Sequence, residues 1–328
     1  MPRVSGFDPA SIALAARALA DGELVAFPTE TVYGLGARAD DDAAVARIFA
    51  AKGRPADHPL IVHAAGAEDA SRFGDLSSAA AQRLSARLWP GPLTLIVPRH
   101  PDVATAAAAG QPSVGLRVPG HPAALALLQA ASALGVRGIA GPSANRFGRV
   151  SPTRAAHVAD EFGDGLLVVD GGECEVGIES AIVDCTRPQP ALLRPGQIDR
   201  RSLEEILGQP LRGAAADAPR APGTLAAHYA PSAKLRIMDA AALQSAFEVL
   251  RTAAPPAGLA VYSRTVRPGL RGIGFRPMPP RPDDVAHELF AVLRDFDARG
   301  MQLVWIEAVP PGPQWDGVRD RLTRASAA

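Results

Sequence analysis

Short apolar runs alternate with capped helical segments along this chain, and that alternation limits its fold more than any other feature. Leu24-Val25-Ala26-Phe27, PLIVH (59–63), LTLIVP (93–98) and SVGLRVP (113–119) read as strands, and GIAGPSAN (138–145) carries a short strand into a turn. Between them, Asp8-Pro9 puts a capping carboxylate before a proline at the first position of a helix that Gly22 ends. Asp41-Asp42 cap AAVARIFAAK, which Gly53 stops; SSAAAQRLSARLW (77–89) and HPAALALLQAASALG (121–135) are also helical. Ser151-Pro152 is expected to start a capped helix ending at Gly163. GLLVVDGG, SAIVDC and ALLRPG follow as three closely spaced strands before the helix DRRSLEEILG. Strands that are partly adjacent and partly separated by helices predict an α/β sheet that is not purely parallel.

From Leu211 to Pro231 the composition turns to Ala, Pro, Gly and Arg without periodicity, which reads as a linker. Beyond it, KLRIMD, GLAVYS, RGIGFRPM and LVWIEAV are short strands alternating with helices over 240–252, 282–299 and 315–325, a pattern that suits a small doubly wound domain. The expected organisation is a first domain over 1–210, a linker over 211–232 and a smaller α/β domain over 233–328.

With 328 residues, 47% of them apolar, the chain can bury a sizeable core. Lys+Arg and Asp+Glu balance at 34 each, which argues against a protein whose main work is gripping phosphate backbones. Cys174 and Cys185 form no CxxC pair, so neither a disulfide framework nor a zinc site finds its ligands. The N-terminus carries no apolar leader and no long uncharged apolar stretch occurs, so a soluble cytoplasmic protein is expected.

Polar residues cluster where strands end. FPTETVYGLGARA (27–39) finishes an apolar strand in hydroxyls and then turns on glycine. GLGARA fits G-x-G-x-x-A, but the helix signal begins only at Asp41-Asp42, and no acidic residue follows at the spacing a dinucleotide site needs. No P-loop motif is present. AKGRPADHPLIVH (51–63) brings Lys52, Arg54, His58 and His63 into one segment. Lys52 in a last helical turn also satisfies the helix dipole, and His63 is as well explained as a structural histidine. Arg54, extended before Pro55, suits phosphate oxygens as a bidentate fork beside the point charge of Lys52. Arg117 alternates against Leu116 and Val118, either solvated or clamping a carboxylate. Ser143, Asn145, Arg149 and Ser151 fall in GPSANRFGRVSP, where a helix start offers an anion site or a plain cap. Ser180 heads a strand after a glycine turn, Arg194 ends one, and His228 and Tyr229 sit in the linker. Together these groups suit a nucleotide triphosphate and a small polar acid sharing one crevice.

FPTETVYGLGA, AKGRPADHPLIVH, PGPLTLIV, GLRVPGHP, PSANRFGRVSPT, GIESAIVD and LLRPGQI, in that order, resemble the successive signatures of YrdC-type threonylcarbamoyl-AMP synthases. APGTLAAHYAP and the tail domain look like the longer, two-domain (Sua-type) form. The resemblance implies a YrdC-like twisted mixed sheet with flanking helices, plus a smaller C-terminal Rossmann-like α/β domain. It implies an enzyme, a nucleotidyltransferase that joins L-threonine, bicarbonate and ATP into threonylcarbamoyl-AMP and pyrophosphate. A separate transferase system then carries the threonylcarbamoyl group to tRNA.

Carried over by residue, the resemblance places Thr31, His63, Arg117, Gly141 and Ser180 around threonine, with glycines of the GLG turn letting backbone and ligand approach closely. Lys52 and Arg54 act on the triphosphate as the catalytic pair, His58 lies beside it, and Ser113, Ser143, Ser151 and Arg194 complete the ATP side. His228 or Tyr229 closes the 211–232 linker as a lid. Magnesium is expected to ride on the phosphates of ATP, with no metal ligands from protein alone. Three positions depart from the family pattern: Ala181 where threonine is expected, Gly141 where alanine is usual, and His58 where asparagine is common. An RNA-binding or ribosome-associated protein without catalysis is the alternative on the same fold, and zero net charge counts against it.

Overall fold

The computed structural model describes residues 3–215, 217–253 and 255–327; of the expected 211–232 linker, Ala216 lies outside them. The chain divides into two compact units, Met1–Phe147 with Ser151–Thr224, and Gly148–Val150 with Leu225–Ala328.

The first unit is built on one sheet of eleven strands among the described residues. They are β1 (Arg3–Ser5), β2 (Val25–Phe27), β3 (Gly34–Arg38), β4 (Ile61–His63), β5 (Leu93–Pro98), β6 (Ser113–Arg117), β7 (Ile139–Ala140), β8 (Leu167–Asp170), β9 (Ala181–Asp184), β10 (Ala191–Arg194) and β11 (Arg212–Gly213). Their order is β1-β8-β2-β3-β7-β4-β6-β5-β9-β10-β11. Directions are mixed, as predicted: β4 runs parallel to β6, while β2–β3, β3–β7 and β5–β6 are antiparallel. The parallel register of β4 and β6 sets His63 beside Arg117.

The helix ends follow their capping chemistry. Asp8 accepts from the Ser11 amide at 3.0 Å ahead of the helix Pro9–Ala20. Asp41 accepts from the Ala43 and Ala44 amides ahead of Asp42–Lys52, and Gly53 ends that helix at φ 62°, a left-handed value glycine reaches at no steric cost. Helices cover both faces of the sheet. On one, Pro9–Ala20 and Pro122–Ala133 bury Ile12, Leu19, Leu127 and Leu128 against Val25, Phe27, Ile139 and Val169. On the other, Val45, Ile48, Leu84 and Leu203 pack with Leu35, Val62, Leu95 and Leu116.

GLGAR is strand β3 rather than the start of a helix, so the dinucleotide geometry is absent. Its glycines answer to packing. A Cβ on Gly36 would lie 2.7 Å from Ile139 Cγ2 and 2.9 Å from Phe27 Cε1, and one on Gly34 would lie 3.1 Å from the Phe27 ring. The aromatic ring that ends β2 lies over the backbone of its neighbour.

The second unit holds β12 (Lys234–Met238), β13 (Leu259–Ser263), β14 (Gly274–Pro277) and β15 (Leu303–Glu307), all parallel, in the order β12-β15-β13-β14. The helices Ala240–Thr252, Pro282–Ala298 and Asp316–Ser326 match the sequence expectation. Glu307, at the carboxyl end of β15, accepts from the Ser263 hydroxyl (2.6 Å) and from the amides of Arg264 (2.8 Å) and Thr265 (2.7 Å). Burial pushes its pKa up, but these bonds outweigh it and hold the carboxyl below the usual carboxylate range.

Candidate active site

The loop between β2 and β3 is organised by Thr29. Its hydroxyl donates to Val32 O (2.6 Å), accepts from the Thr31 and Val32 amides, and pairs with the Thr31 hydroxyl at 2.8 Å. A side chain that folds its own loop in this way is a Ser/Thr turn. Tyr33 carries the same loop across to its neighbours: its phenol donates to Gly172 O at 2.7 Å, and its amide donates to Pro152 O. The remaining polar residue, Glu30, is buried and turns towards Arg117.

Glu30, Arg117 and His63 form a buried group. Arg117 Nη2 lies 2.8 Å from Glu30 Oε1, and Arg117 Nε is 3.4 Å from Gly91 O. The ion pair is close, yet its angles complete no directed hydrogen bond: Nη2 and both Glu30 carboxylate oxygens lack a hydrogen-bond partner. His63 Nδ1 is buried in the same condition. Burial, and then the Arg117 guanidinium, push the His63 pKa from 6.5 to about 3, so the ring is neutral. Its plane stands edge-on to Phe27, at 84°. Gly141 lies against it, and a Cβ there would come 3.3 Å from Nδ1. The departure from alanine at this position therefore leaves space at the imidazole.

Ser180 is held from two sides. Its hydroxyl meets that of Thr94 at 2.8 Å, and Arg194 donates to its carbonyl through Nε (3.0 Å) and Nη2 (2.9 Å). Arg194 Nη1 also donates to Pro222 O at 2.9 Å, tying down part of the expected linker.

A second buried group surrounds the end of the helix Asp42–Lys52. Lys52 is not a solvated dipole partner: its ammonium donates to Ser143 O at 2.5 Å and to Asn145 O. Burial, and then the charge of Arg54, push its pKa well below the usual lysine value. Arg54 Nη2 donates to Pro59 O at 2.9 Å, and its guanidinium lies 5.8 Å from the Phe147 ring centroid. The half-buried His58 packs edge-on against the same ring, its pKa lowered by burial and by Arg54. Ser143 thus contributes a carbonyl, and the isolated bridge from Gly34 to Ser143 ties this group to β3.

Ser151 does not cap a helix, contrary to the sequence expectation. The helix runs Ala155–Phe162 from Arg154, and the buried Ser151 hydroxyl donates to Glu179 Oε1 at 2.5 Å. The hydroxyl hydrogen goes to a carboxylate in a short charge-assisted bond, and the helix starts from Arg154, beyond the reach of a cap at Ser151.

Ser113, at the start of β6, borders a separate cavity of about 450 Å³ with Gln111, Thr186, Arg187 and Asp217. His228 and Tyr229 belong to the second unit. There Tyr229, at φ 61°, stacks on Phe290 and lies 5.3 Å from the Arg321 guanidinium, so the pair has a packing role that the sequence left unassigned. A larger cavity of about 780 Å³, lined by Gly66, Ser77, Ser85, Trp89 and His100 among others, contains none of the predicted residues. Sequence reasoning missed Glu30, Thr94 and Glu179. Glu30 had a signal, a lone carboxylate between two threonines at a strand end. Among the described residues no group of three His, Cys, Asp or Glu is placed to hold a metal.

The fold and these buried groups define a two-unit α/β protein. Its larger unit offers a cation, an anion and a neutral imidazole in one place, with further buried cations at a helix end. The family profile described as "Telomere recombination" matches residues 17–196, and that of "Threonylcarbamoyl-AMP synthase, C-terminal domain" matches 198–327. Proteins named threonylcarbamoyl-AMP synthase from Pyrococcus abyssi and Bacillus subtilis are each 38% identical to this chain. The first alignment covers 96% of this chain and 94% of the relative, the second 97% and 93%. The crystal structure of P. abyssi Sua5 complexed with L-threonine is similar at a TM-score of 0.88 and 35% identity, covering 97% of this chain and 95% of that one. The chain belongs to the threonylcarbamoyl-AMP synthase family.

Proposed function

We propose that this chain is an L-threonylcarbamoyladenylate synthase that makes threonylcarbamoyl-AMP and pyrophosphate from L-threonine, bicarbonate and ATP. The observation that carries the reading is the buried Glu30–Arg117–His63 group, whose orphaned polar atoms call for a small ligand that is both charged and polar. Full-length kinship with named synthases supports it.

In this reading Arg117 receives the threonine carboxylate, and Thr31, His63 and Ser180 surround the rest of the amino acid, with Gly141 leaving room beside the imidazole. Threonine's amine and bicarbonate combine to a carbamate and water. A carbamate oxygen then attacks the α-phosphorus of ATP in line, and pyrophosphate leaves. No covalent enzyme intermediate is needed, so positioning and charge neutralisation supply the catalysis. Lys52 and Arg54 are buried neighbours, and a triphosphate beside them offsets both the burial and the Arg54 charge that lower the Lys52 pKa. His58, Ser113, Ser143, Ser151 and Arg194 complete the nucleotide side in this assignment. ATP is taken as its magnesium complex, with the phosphates supplying ligands. The bond from Arg194 to Pro222 supports a role for the 211–232 segment in closing the site. Closure matters because the carbamate is labile in water.

The product then passes to a separate transferase that modifies tRNA, in the cytoplasm. No helix among the described residues is long and apolar enough to cross a membrane. The test is pyrophosphate release from ATP with L-threonine and bicarbonate each omitted in turn. Release that requires both is expected; release without either, or none at all, overturns the proposal.

A further inference from the structure

We infer that Glu30 is the receptor for the substrate's amino group, and that it is the residue that makes the site select an α-amino acid over the same acid without its amine. The inference rests on the proposed function and names a specificity determinant for it.

Glu30 is 6% exposed, and neither of its carboxylate oxygens completes a hydrogen bond. Oε1 faces Arg117 Nη2 at 2.8 Å, which accounts for one oxygen electrostatically and leaves Oε2 with nothing. A carboxylate whose only duty was to neutralise Arg117 would be expected to turn both oxygens to the guanidinium, the bidentate arrangement that planar fork favours. A buried carboxylate offers about four lone-pair directions, and leaving them empty is costly.

Among the described residues no donor hydrogen-bonds either Glu30 oxygen. Glu30 is fixed by its backbone, whose carbonyl accepts from the Val176 amide at 2.7 Å, and by the Thr29 turn before it. Gly120 stands 3.7 Å from the Glu30 carboxyl carbon, measured from the Cβ a larger residue would carry. That position therefore sets no side chain against the carboxylate. The neighbouring Cys174, its thiol kept protonated by burial, offers only a weak S–H donor.

Glu30, Arg117 and His63 together match an α-amino-β-hydroxy acid group for group. Arg117 takes the carboxylate, the neutral His63 Nδ1 is free to bond the hydroxyl, and Glu30 Oε2 takes the ammonium. Arg117 Nη2, His63 Nδ1 and both Glu30 oxygens each lack a directed partner. A zwitterion entering between Glu30 and Arg117 keeps the local charge balanced, which a simple carboxylic acid does not.

The experiment is calorimetric titration of the full chain with L-threonine and with 3-hydroxybutyrate, which is threonine without its amino group. Unsubstituted protein is expected to bind threonine about a hundredfold more tightly than the analogue, the effect of one buried charge-assisted contact. Glu30→Gln keeps the shape and removes the charge. It is expected to lose most of that preference, weakening threonine while leaving 3-hydroxybutyrate and ATP nearly unchanged. Unchanged ATP binding and an unchanged unfolding temperature show that the variant is folded. Glu30→Asp, with its carboxylate drawn back, is expected to regain part of the preference. Equal weakening of both acids means Glu30 only orients Arg117 and overturns the inference, as does unaltered threonine binding. If the unsubstituted protein binds no threonine, the functional reading itself fails, a result distinct from loss of selectivity in the variant.

Discussion

Ser151 donates its hydroxyl hydrogen to Glu179 Oε1 across 2.5 Å, and both residues are buried. The bond joins the segment before the helix Ala155–Phe162 to the segment that delivers Ser180 to the start of β9. It also lies close enough to Lys52 for the Glu179 charge to bear on that ammonium.

Ser151→Ala removes that donor from a buried carboxylate, and hydrogen bonds to charged groups contribute about 1.5–3 kcal/mol. Urea unfolding is expected to show a loss of that size, with the denaturant slope unchanged. A midpoint equal to that of the unsubstituted protein would show that Glu179 is satisfied elsewhere.

Arg117→Lys keeps the cation beside Glu30 but loses the planar fork. Threonine affinity is expected to fall about tenfold or more, with ATP affinity held, because only the amino acid's carboxylate uses the bidentate geometry. Calorimetry with each ligand separately decides the matter: equal losses would remove Arg117 from the threonine side.

His63 makes stability depend on pH in a definite direction. Folded, its pKa is about 3; unfolded, it returns to 6.5. The unfolded chain therefore binds more protons between those values. This contribution is fully present above about pH 6.5 and is lost progressively as pH falls towards 3, at up to about 1.4 kcal/mol per pH unit. Unfolding free energies at pH 7.5 and pH 5 are expected to differ more for the unsubstituted protein than for His63→Gln. Parallel behaviour of the two would mean the ring is not held neutral by burial.

Much of this protein is local and so was legible in its sequence. Asp8 and Asp41 cap helices because a short carboxylate reaches amides two or three residues ahead, and Gly53 ends one because only its own φ is at stake. The four strands and three main helices of the second unit follow from runs whose period shows in the chain. The motifs that carry the family resemblance are likewise contiguous. Ser151 was misplaced because its partner, Glu179, lies 28 residues away and is brought to it only by packing, while the helix starts from Arg154. Strands β8, β9 and β10 are close in sequence, yet β8 sits between β1 and β2 in the sheet, an order that short-range spacing does not carry. The need for glycine at Gly34 and Gly36 beside the Phe27 ring shows only in tertiary contact. Glu30 could be seen as an isolated carboxylate, but its pairing with Arg117, 87 positions on, and the lack of a directed partner for its oxygens and for Arg117 Nη2 show only in the tertiary structure. Residue type and short-range spacing determine which groups are available and how each segment folds. Burial and long-range proximity decide which of them are left unsatisfied, and those unsatisfied groups form the candidate site.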